Sequence, residues 1–340
     1  LSTQQRISPI NFAAIAWNLG YHDHDSLSDA VRDWRTIIQR VRPNVILQDF
    51  GLTAGLVARH EGIRTVRIGT GYTCPPRWET PVNIPAFNIG APDFRITIPT
   101  DDVFDRIMNS IAIACRANGV AVPSRWDEVV NGCEDDILAT LPLLDPYANV
   151  RPHGRWDGIW SRVEDRDCVD GIDENSSRRF DANILAYLKP FSNWKPFFQS
   201  LEDLRVRVDL VPDSVNDELL KSCNPHWVRI CTGFRNIPAA ARRGRMLINN
   251  GNHGSTAVAL LNGMPVVACP LFFEQRLTAE AITRVGVGAF IDVRSPAGWT
   301  EQLRQAFASR DLRNRSQRFA NRYETLTPAV LDSITQRIVR

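Results

Sequence analysis

Short apolar runs alternate with helical stretches along most of this chain, and that rhythm restricts the fold more than any other feature. In the second half the runs 183–188, 205–211, 227–231, 245–249 and 265–269 read as strands. Helical patterns at 194–202, 216–222, 255–262 and 275–285 lie among them, and terminal helices are expected over 299–308 and 314–338. The first half repeats the scheme: a helical region, 12–40, broken at Leu19-Gly20-Tyr21, then strand 44–49, helix 53–60 and strand 65–69. Helices around 103–117 and 124–132 precede a strand at 136–140. Strands that are almost wholly apolar, joined through helices, make parallel sheets covered on both faces. The predicted class is α/β.

The 340 residues suffice for two such domains. The expected division is a first domain over 1–151, a linker over 152–180 rich in charge and glycine, and a second domain over 181–340. The last helix is a candidate to cross back to the first domain. The chain opens with Leu1 in a region that quickly becomes helical, so residues of the fold are expected to precede it. A net charge of +2, with basic residues dispersed, gives no footprint for nucleic acid. No apolar run is long enough to span a bilayer. The seven cysteines are far apart, with no C-x-x-C pair, which fits reduced thiols in a cytoplasmic protein better than disulfides or a zinc site.

The chemistry concentrates in Met246-Leu247-Ile248-Asn249-Asn250-Gly251-Asn252-His253-Gly254-Ser255-Thr256-Ala257. A buried strand runs into a glycine turn, and a helix is expected to open at Ser255 or Thr256. A helix start presents unpaired amide hydrogens and the positive end of the helix dipole. Gly251 and Gly254 would let a ligand approach the backbone, Ser255 and Thr256 would add hydroxyls, and His253 an imidazole N–H. Such a turn can cradle a diphosphate without a P-loop lysine, or it can be a structural turn capped by its own small residues. Downstream, Asn262-Gly263-Met264-Pro265 leads into the next strand. Pro270-Leu271-Phe272-Phe273-Glu274-Gln275 follows that strand's carboxyl end, where α/β sheets bind ligands. Glu274 and Gln275 suit sugar hydroxyls, although Glu274 alone would serve as a helix-start residue.

His253-Gly254-Ser255-Thr256 with Leu260, Gly263, Pro265, Pro270 and Glu274-Gln275 closely resembles the donor-binding signature of family 1 glycosyltransferases. These include macrolide and other natural-product enzymes and the UDP-glycosyltransferases. The likeness is strongest over about 240–290 and looser through 183–340; Pro43-Asn44-Val45 to Gly71-Tyr72, with Pro75-Pro76, also resembles the late N-terminal domain of bacterial members. The resemblance implies the GT-B fold, with two Rossmann-like domains facing across a cleft. It implies inverting, metal-independent transfer from a UDP- or dTDP-sugar to a small, hydrophobic acceptor. Residues 251–256 would meet the diphosphate, Glu274 and Gln275 the sugar, and Thr232-Gly233-Phe234 the base and ribose, unless that loop is an ordinary turn. Trp78 and Phe87, in a proline-rich segment, would line the acceptor site or pack within the domain.

Asp49 ends strand 44–49. In the family an aspartate at this strand end orients the histidine that deprotonates the acceptor, because a carboxylate fixes the imidazole tautomer and stabilises the imidazolium. The alternative is an N-cap for helix 53–60. Three features depart from the family pattern. No histidine matches the base: His22 and His24, in Tyr21-His22-Asp23-His24-Asp25, read as a solvated helix start rather than a catalytic or metal cluster. Lys189 follows strand 183–188 near the donor, where Gly or Ser is commoner. Asn252 replaces a second Gly. A catalytically silent nucleotide-sugar- or partner-binding protein is therefore the alternative from another class, and an epimerase or hydrolase on the same fold the second. A nicotinamide dehydrogenase is disfavoured, since no G-x-G-x-x-G follows a strand.

Overall fold

A computed structural model describes residues 7, 9, 11–78, 100–130, 135–151, 155–159, 182–231, 233, 235–323 and 330–339. The chain divides into two units, one of residues 1–158 with 328–340 and the other of residues 159–327. Of the expected linker 152–180, only 155–159 falls within the described residues.

In the first unit α1 (Phe12–Asn18) begins where the Asn11 side chain accepts from Ala14 N, and α2 (His24–Val41) where Asp23 accepts from the amides of Asp25 and Ser26. The His22/His24 segment is thus a capped helix start, and His22 Nδ1 lies 2.9 Å from Trp17 O. β1 (Val45–Gln48), α3 (Leu52–His60) and β2 (Arg64–Gly69) follow, then α4 (Thr100–Ala117), α5 (Trp126–Val130) and β3 (Asp135–Leu138). The three strands form a parallel sheet in the order β1-β2-β3, with Val45 opposite Arg64 and Val66 opposite Asp135. Arg67 is 1% exposed in the middle of this sheet. Its charge is met by both carboxylate oxygens of Asp136, at 3.0 and 2.7 Å, and by the carbonyls of Val130 and Pro75. A buried guanidinium is tolerated only with such full pairing.

The second unit runs β4 (Ile184–Leu188), α6 (Trp194–Asp203), β5 (Val208–Pro212), α7 (Asp217–Ser222), β6 (Val228–Ile230), α8 (Ile237–Arg242) and β7 (Met246–Asn249). It continues with α9 (His253–Leu261), β8 (Val266–Ala268), α10 (Phe273–Val285), β9 (Gly288–Phe290), α11 (Trp299–Ala308) and α12 (Arg310–Tyr323). Its six parallel strands lie in the order β6-β5-β4-β7-β8-β9. The chain builds outward from β4 in one direction, returns, and builds outward from β7 in the other. The carboxyl ends of β4 and β7 therefore flank the topological switch point, the usual ligand position in such sheets. Trp194, Phe197, Phe198, Leu201, Trp299 and Leu303 pack beneath the strands as part of one apolar core.

Within the helix expected over 314–338, the described residues belong to α12 and α13 (Val330–Val339), and 324–329 lie outside the described residues. α13 belongs to the first unit. Arg337 reaches both Asp135 oxygens at 2.7 Å, Asp157 at 2.7 Å and the Asp136 carbonyl. Arg64 caps the same helix, donating to the carbonyls of Arg337 and Ile338, which have no partner within the helix. α8 and β9 were not expected.

Candidate functional site

The turn from β7 to α9 is closed from below by two buried carboxamides. Asn249 accepts from Gly251 N at 2.8 Å and donates to Ser255 Oγ and Thr256 Oγ1, both at 2.9 Å. Asn250 accepts from Lys189 N at 2.7 Å and donates to Cys269 O at 2.9 Å, tying the carboxyl ends of β4 and β8 to the turn. Both are 0% exposed, so every polar atom they commit must be satisfied within the chain.

α9 begins at His253, with Asn252 as N-cap, earlier than the expected Ser255 or Thr256. Asn252 is a residue type that ordinarily caps the first turn. Here it makes no side-chain capping bond; its Oδ1 accepts instead from Gln275 Nε2 at 2.7 Å. The helix's first backbone bond runs from Thr256 N to Asn252 O at 3.1 Å. The amides of Gly254 and Ser255 precede that bond, and a Cβ on Gly254 would meet nothing within 4 Å. His253 and Ser255 are half-buried and Gly254 is exposed. The start of α9 is therefore open in front and held from behind.

Three expected ligand contacts serve the chain itself. Thr256 is 0% exposed, with its amide on Asn252 and its hydroxyl on Asn249, so it supports the turn from beneath. Gly251, at φ +80°, would place a Cβ 2.5 Å from Gln275 O; its missing side chain admits the protein's own backbone rather than a ligand. Gln275 is 8% exposed, with Oε1 accepting from Leu271 N and Phe272 N and Nε2 on Asn252, so its amide fixes the 270–275 loop. Glu274 is exposed in the first turn of α10.

A cavity of about 350 Å³ adjoins this turn, lined by Tyr187–Lys189 at the end of β4, Val211–Asp213 at the end of β5, Gly233, Asn250 and Asn252. It lies at the switch point. Tyr187 Oη accepts from Arg235 N at 2.6 Å and donates to Arg235 O at 2.9 Å, anchoring the segment that follows β6. Thr232 and Phe234 lie outside the described residues. Cys269, at the end of β8, has its thiol pushed up to about 12 by burial, which keeps it protonated and unreactive at neutral pH. The buried carboxamides Asn249 and Asn250 were missed by sequence reasoning, although paired amides at a strand end are a visible signal.

In the first unit Asp49 is exposed just after β1 and makes no hydrogen bond or ion pair among the described residues. It does not cap α3, whose N-cap is Gly51 without a side-chain bond. Phe50 holds φ at +55°, a left-handed conformation costly for a bulky residue, with its ring edge-on to Phe12 at 5.4 Å between centroids. No described histidine bonds Asp49; His60 Nδ1 accepts from Ala121 N at 3.2 Å. Trp78 packs edge-on to Tyr147 at 6.3 Å, and Phe87 lies outside the described residues. Among the described residues no helix is long and apolar enough to cross a membrane. Nor is any group of three or more His, Cys, Asp or Glu placed to hold a metal ion.

No family model matches the sequence. A PGL/p-HBAD biosynthesis glycosyltransferase of Mycobacterium tuberculosis is 29% identical over 305 residues, 85% of this chain and 69% of that protein. Among solved structures, the glycotransferase of kitacinnamycin superposes with a TM-score of 0.65 at 18% identity, over 99% of this chain and 84% of that one. The spinosyn rhamnosyltransferase SpnG in complex with thymidine diphosphate gives 0.62 at 14% identity, over 95% and 82%. SpnG has also been solved with spinosyn aglycone. The structural likeness shows the GT-B fold for this chain, and its sequence likeness is to a glycosyltransferase.

Proposed function

We propose that the chain transfers a sugar, with inversion and without a metal, from a UDP- or dTDP-sugar to a hydroxyl of a small, apolar acceptor. The observation that carries this reading is the open start of α9: two amides, Gly254 and Ser255, uncapped by any side chain among the described residues and beside a cavity at the switch point. Pre-aimed amides at a helix start suit a diphosphate. SpnG, of the same fold, has been solved with thymidine diphosphate and with its aglycone, which supports a nucleotide donor and a small-molecule acceptor.

In this mechanism the acceptor oxygen attacks the anomeric carbon from the face opposite the donor diphosphate. The bond from that carbon to the diphosphate oxygen breaks, and its electron pair stays on the leaving group. The acceptor proton passes to a base oriented by Asp49. The charge gathering on the leaving oxygen is met by the Gly254 and Ser255 amides and the α9 dipole, with His253 beside them; preorganised donors of this kind need no rearrangement as charge develops. Glu274, in the first turn of α10, is assigned to the sugar hydroxyls, and Gly233, on the cavity wall, to the nucleoside end.

The test is a turnover screen of nucleotide sugars against hydrophobic phenols, with product anomeric configuration read by NMR and EDTA present in parallel. The expected product is inverted at the anomeric carbon, its rate is unchanged by EDTA, and its formation is lost in His253→Ala. Retained configuration, or loss of activity on chelation, contradicts the reading. One observation favours a second reading, a protein that binds the donor without turning it over: Asp49 has no histidine partner among the described residues. Tight donor binding with neither transfer nor hydrolysis would select it.

A further inference from the structure

We infer that Lys189 is the charge-selecting residue of the cavity, its ammonium recognising the diphosphate of a nucleotide ligand and setting which way that ligand lies. This rests on the donor-site reading above. Lys189 follows the central strand β4, and its backbone is pinned by Asn250, itself pinned to the end of β8. Lys189 thus lines the cavity from a fixed backbone anchor. Its Nζ lies 5.9 Å from the centre of the Phe272 ring. An aromatic face attracts an ammonium and restricts its position but carries no formal charge, so the lysine keeps its full demand for an anion. Among the described residues no carboxylate lies within ion-pairing distance of it, although the described part of the chain holds many arginine–carboxylate pairs.

Asp213, just after β5, is the carboxylate among the described residues of the cavity wall. Opposite charges on two different strand ends give the cavity a direction. A dianionic diphosphate is drawn to Lys189, beside Asn252 and the start of α9, and repelled from Asp213. The nucleoside then extends toward Asp213 and Gly233, where the carboxylate can accept from sugar hydroxyls. The ligand class that satisfies both ends is a nucleoside diphosphate. A free nucleoside leaves the ammonium unpaired, and inorganic pyrophosphate leaves the Asp213 end empty.

The test is calorimetric titration of UDP, UMP and uridine, and of dTDP, into wild-type protein, Lys189→Gln, Lys189→Arg and Lys221→Gln. Lys221, on α7, does not line the cavity and controls for net charge. Thermal melts confirm that each variant is folded. Loss of a charge-assisted contact predicts roughly 10- to 100-fold weaker diphosphate binding in Lys189→Gln. UMP should lose less and uridine nothing, and the salt dependence should flatten. Lys189→Arg should recover most of the affinity, and Lys221→Gln should match wild type. Unchanged diphosphate affinity in Lys189→Gln, or an equal loss for uridine and UDP, overturns this assignment while leaving the donor site standing. Wild-type protein that binds no nucleoside diphosphate overturns both.

Discussion

β1 and β7 both end in a buried carboxamide, Gln48 and Asn249, and each leads into a helix whose N-cap makes no side-chain bond. The left-handed position of the β7 turn is Gly251, which adopts φ +80° without a Cβ penalty. The corresponding position after β1 is Phe50, at φ +55°. For a non-glycine residue that conformation costs about 1–2 kcal/mol, and it is held by packing on Phe12. The carboxamides also differ in use. Gln48 lies against Gly55, where a Cβ would be 2.5 Å from its Oε1, and so sets how closely α3 approaches β1. Asn249 instead organises the hydroxyls and the amide of its own turn. One turn accepts strain and presents a single exposed carboxylate, Asp49. The other avoids strain and presents a row of amides. A strained residue at a strand end, beside an acid unpaired among the described residues, is a place to look for function; in the proposed mechanism the first turn serves proton removal and the second leaving-group stabilisation.

The sharpest way to break this comparison is Asp49→Asn. It should lower turnover by at least about 100-fold and leave the melting temperature unchanged, because Asp49 is exposed and unpaired among the described residues. An equal loss of stability would make Asp49 structural. Next in size, Asn249→Ala strips three hydrogen bonds from a buried turn and should destabilise the protein by about 2–4 kcal/mol, seen in urea unfolding together with weaker diphosphate binding.

The two glycines of the β7 turn separate the protein's needs from the ligand's. Gly251→Ala meets Gln275 O and a left-handed backbone, and should cost about 2 kcal/mol. At Gly254 a Cβ meets nothing within 4 Å; Gly254→Leu should leave the melting temperature within about 2 °C, while weakening nucleoside diphosphate binding on the order of 10-fold. The reverse pattern would mean that the open side of α9 faces no ligand.

The smallest effect concerns acid. The Arg337 guanidinium beside Asp135 holds that carboxyl below its ordinary value of 3.8. A group with a lowered folded-state value contributes stability above its unfolded value and loses it as pH falls through the folded one. α13, which Arg337 docks onto the first unit, packs against β1. Hydrogen exchange corrected for intrinsic rates should show β1 amides loosening below about pH 4 while β7 amides hold. Arg337→Gln should loosen β1 already at neutral pH and erase that acid dependence.

Much of this was legible in the sequence, because strand-turn-helix units announce themselves through apolar runs and small residues. The misreadings share a cause. α9 starts early because Asn249 and Gln275, distant in sequence or hidden in a strand, set its first turn, and His253 with Gly254 carries no strong helix signal. The inward direction of Thr256 and the commitment of Gln275 depend on those same buried amides. The expectation of a helix over 314–338 rests on apolar periodicity that spans both α12 and α13, with 324–329 outside the described residues. β9 spans three residues, too few to register a period. α8 did leave a mark, Asn236 as N-cap followed by Pro238, that its short length concealed.

The central claim is that the Gly254 and Ser255 amides hold a diphosphate. Backbone amide shifts of 15N-labelled protein, followed through a titration with UDP or dTDP, address it most directly. Large, saturable shifts of those two amides, with smaller ones at Lys189 and Asn252, are the predicted result. Saturable binding that leaves Gly254 and Ser255 unmoved would contradict it.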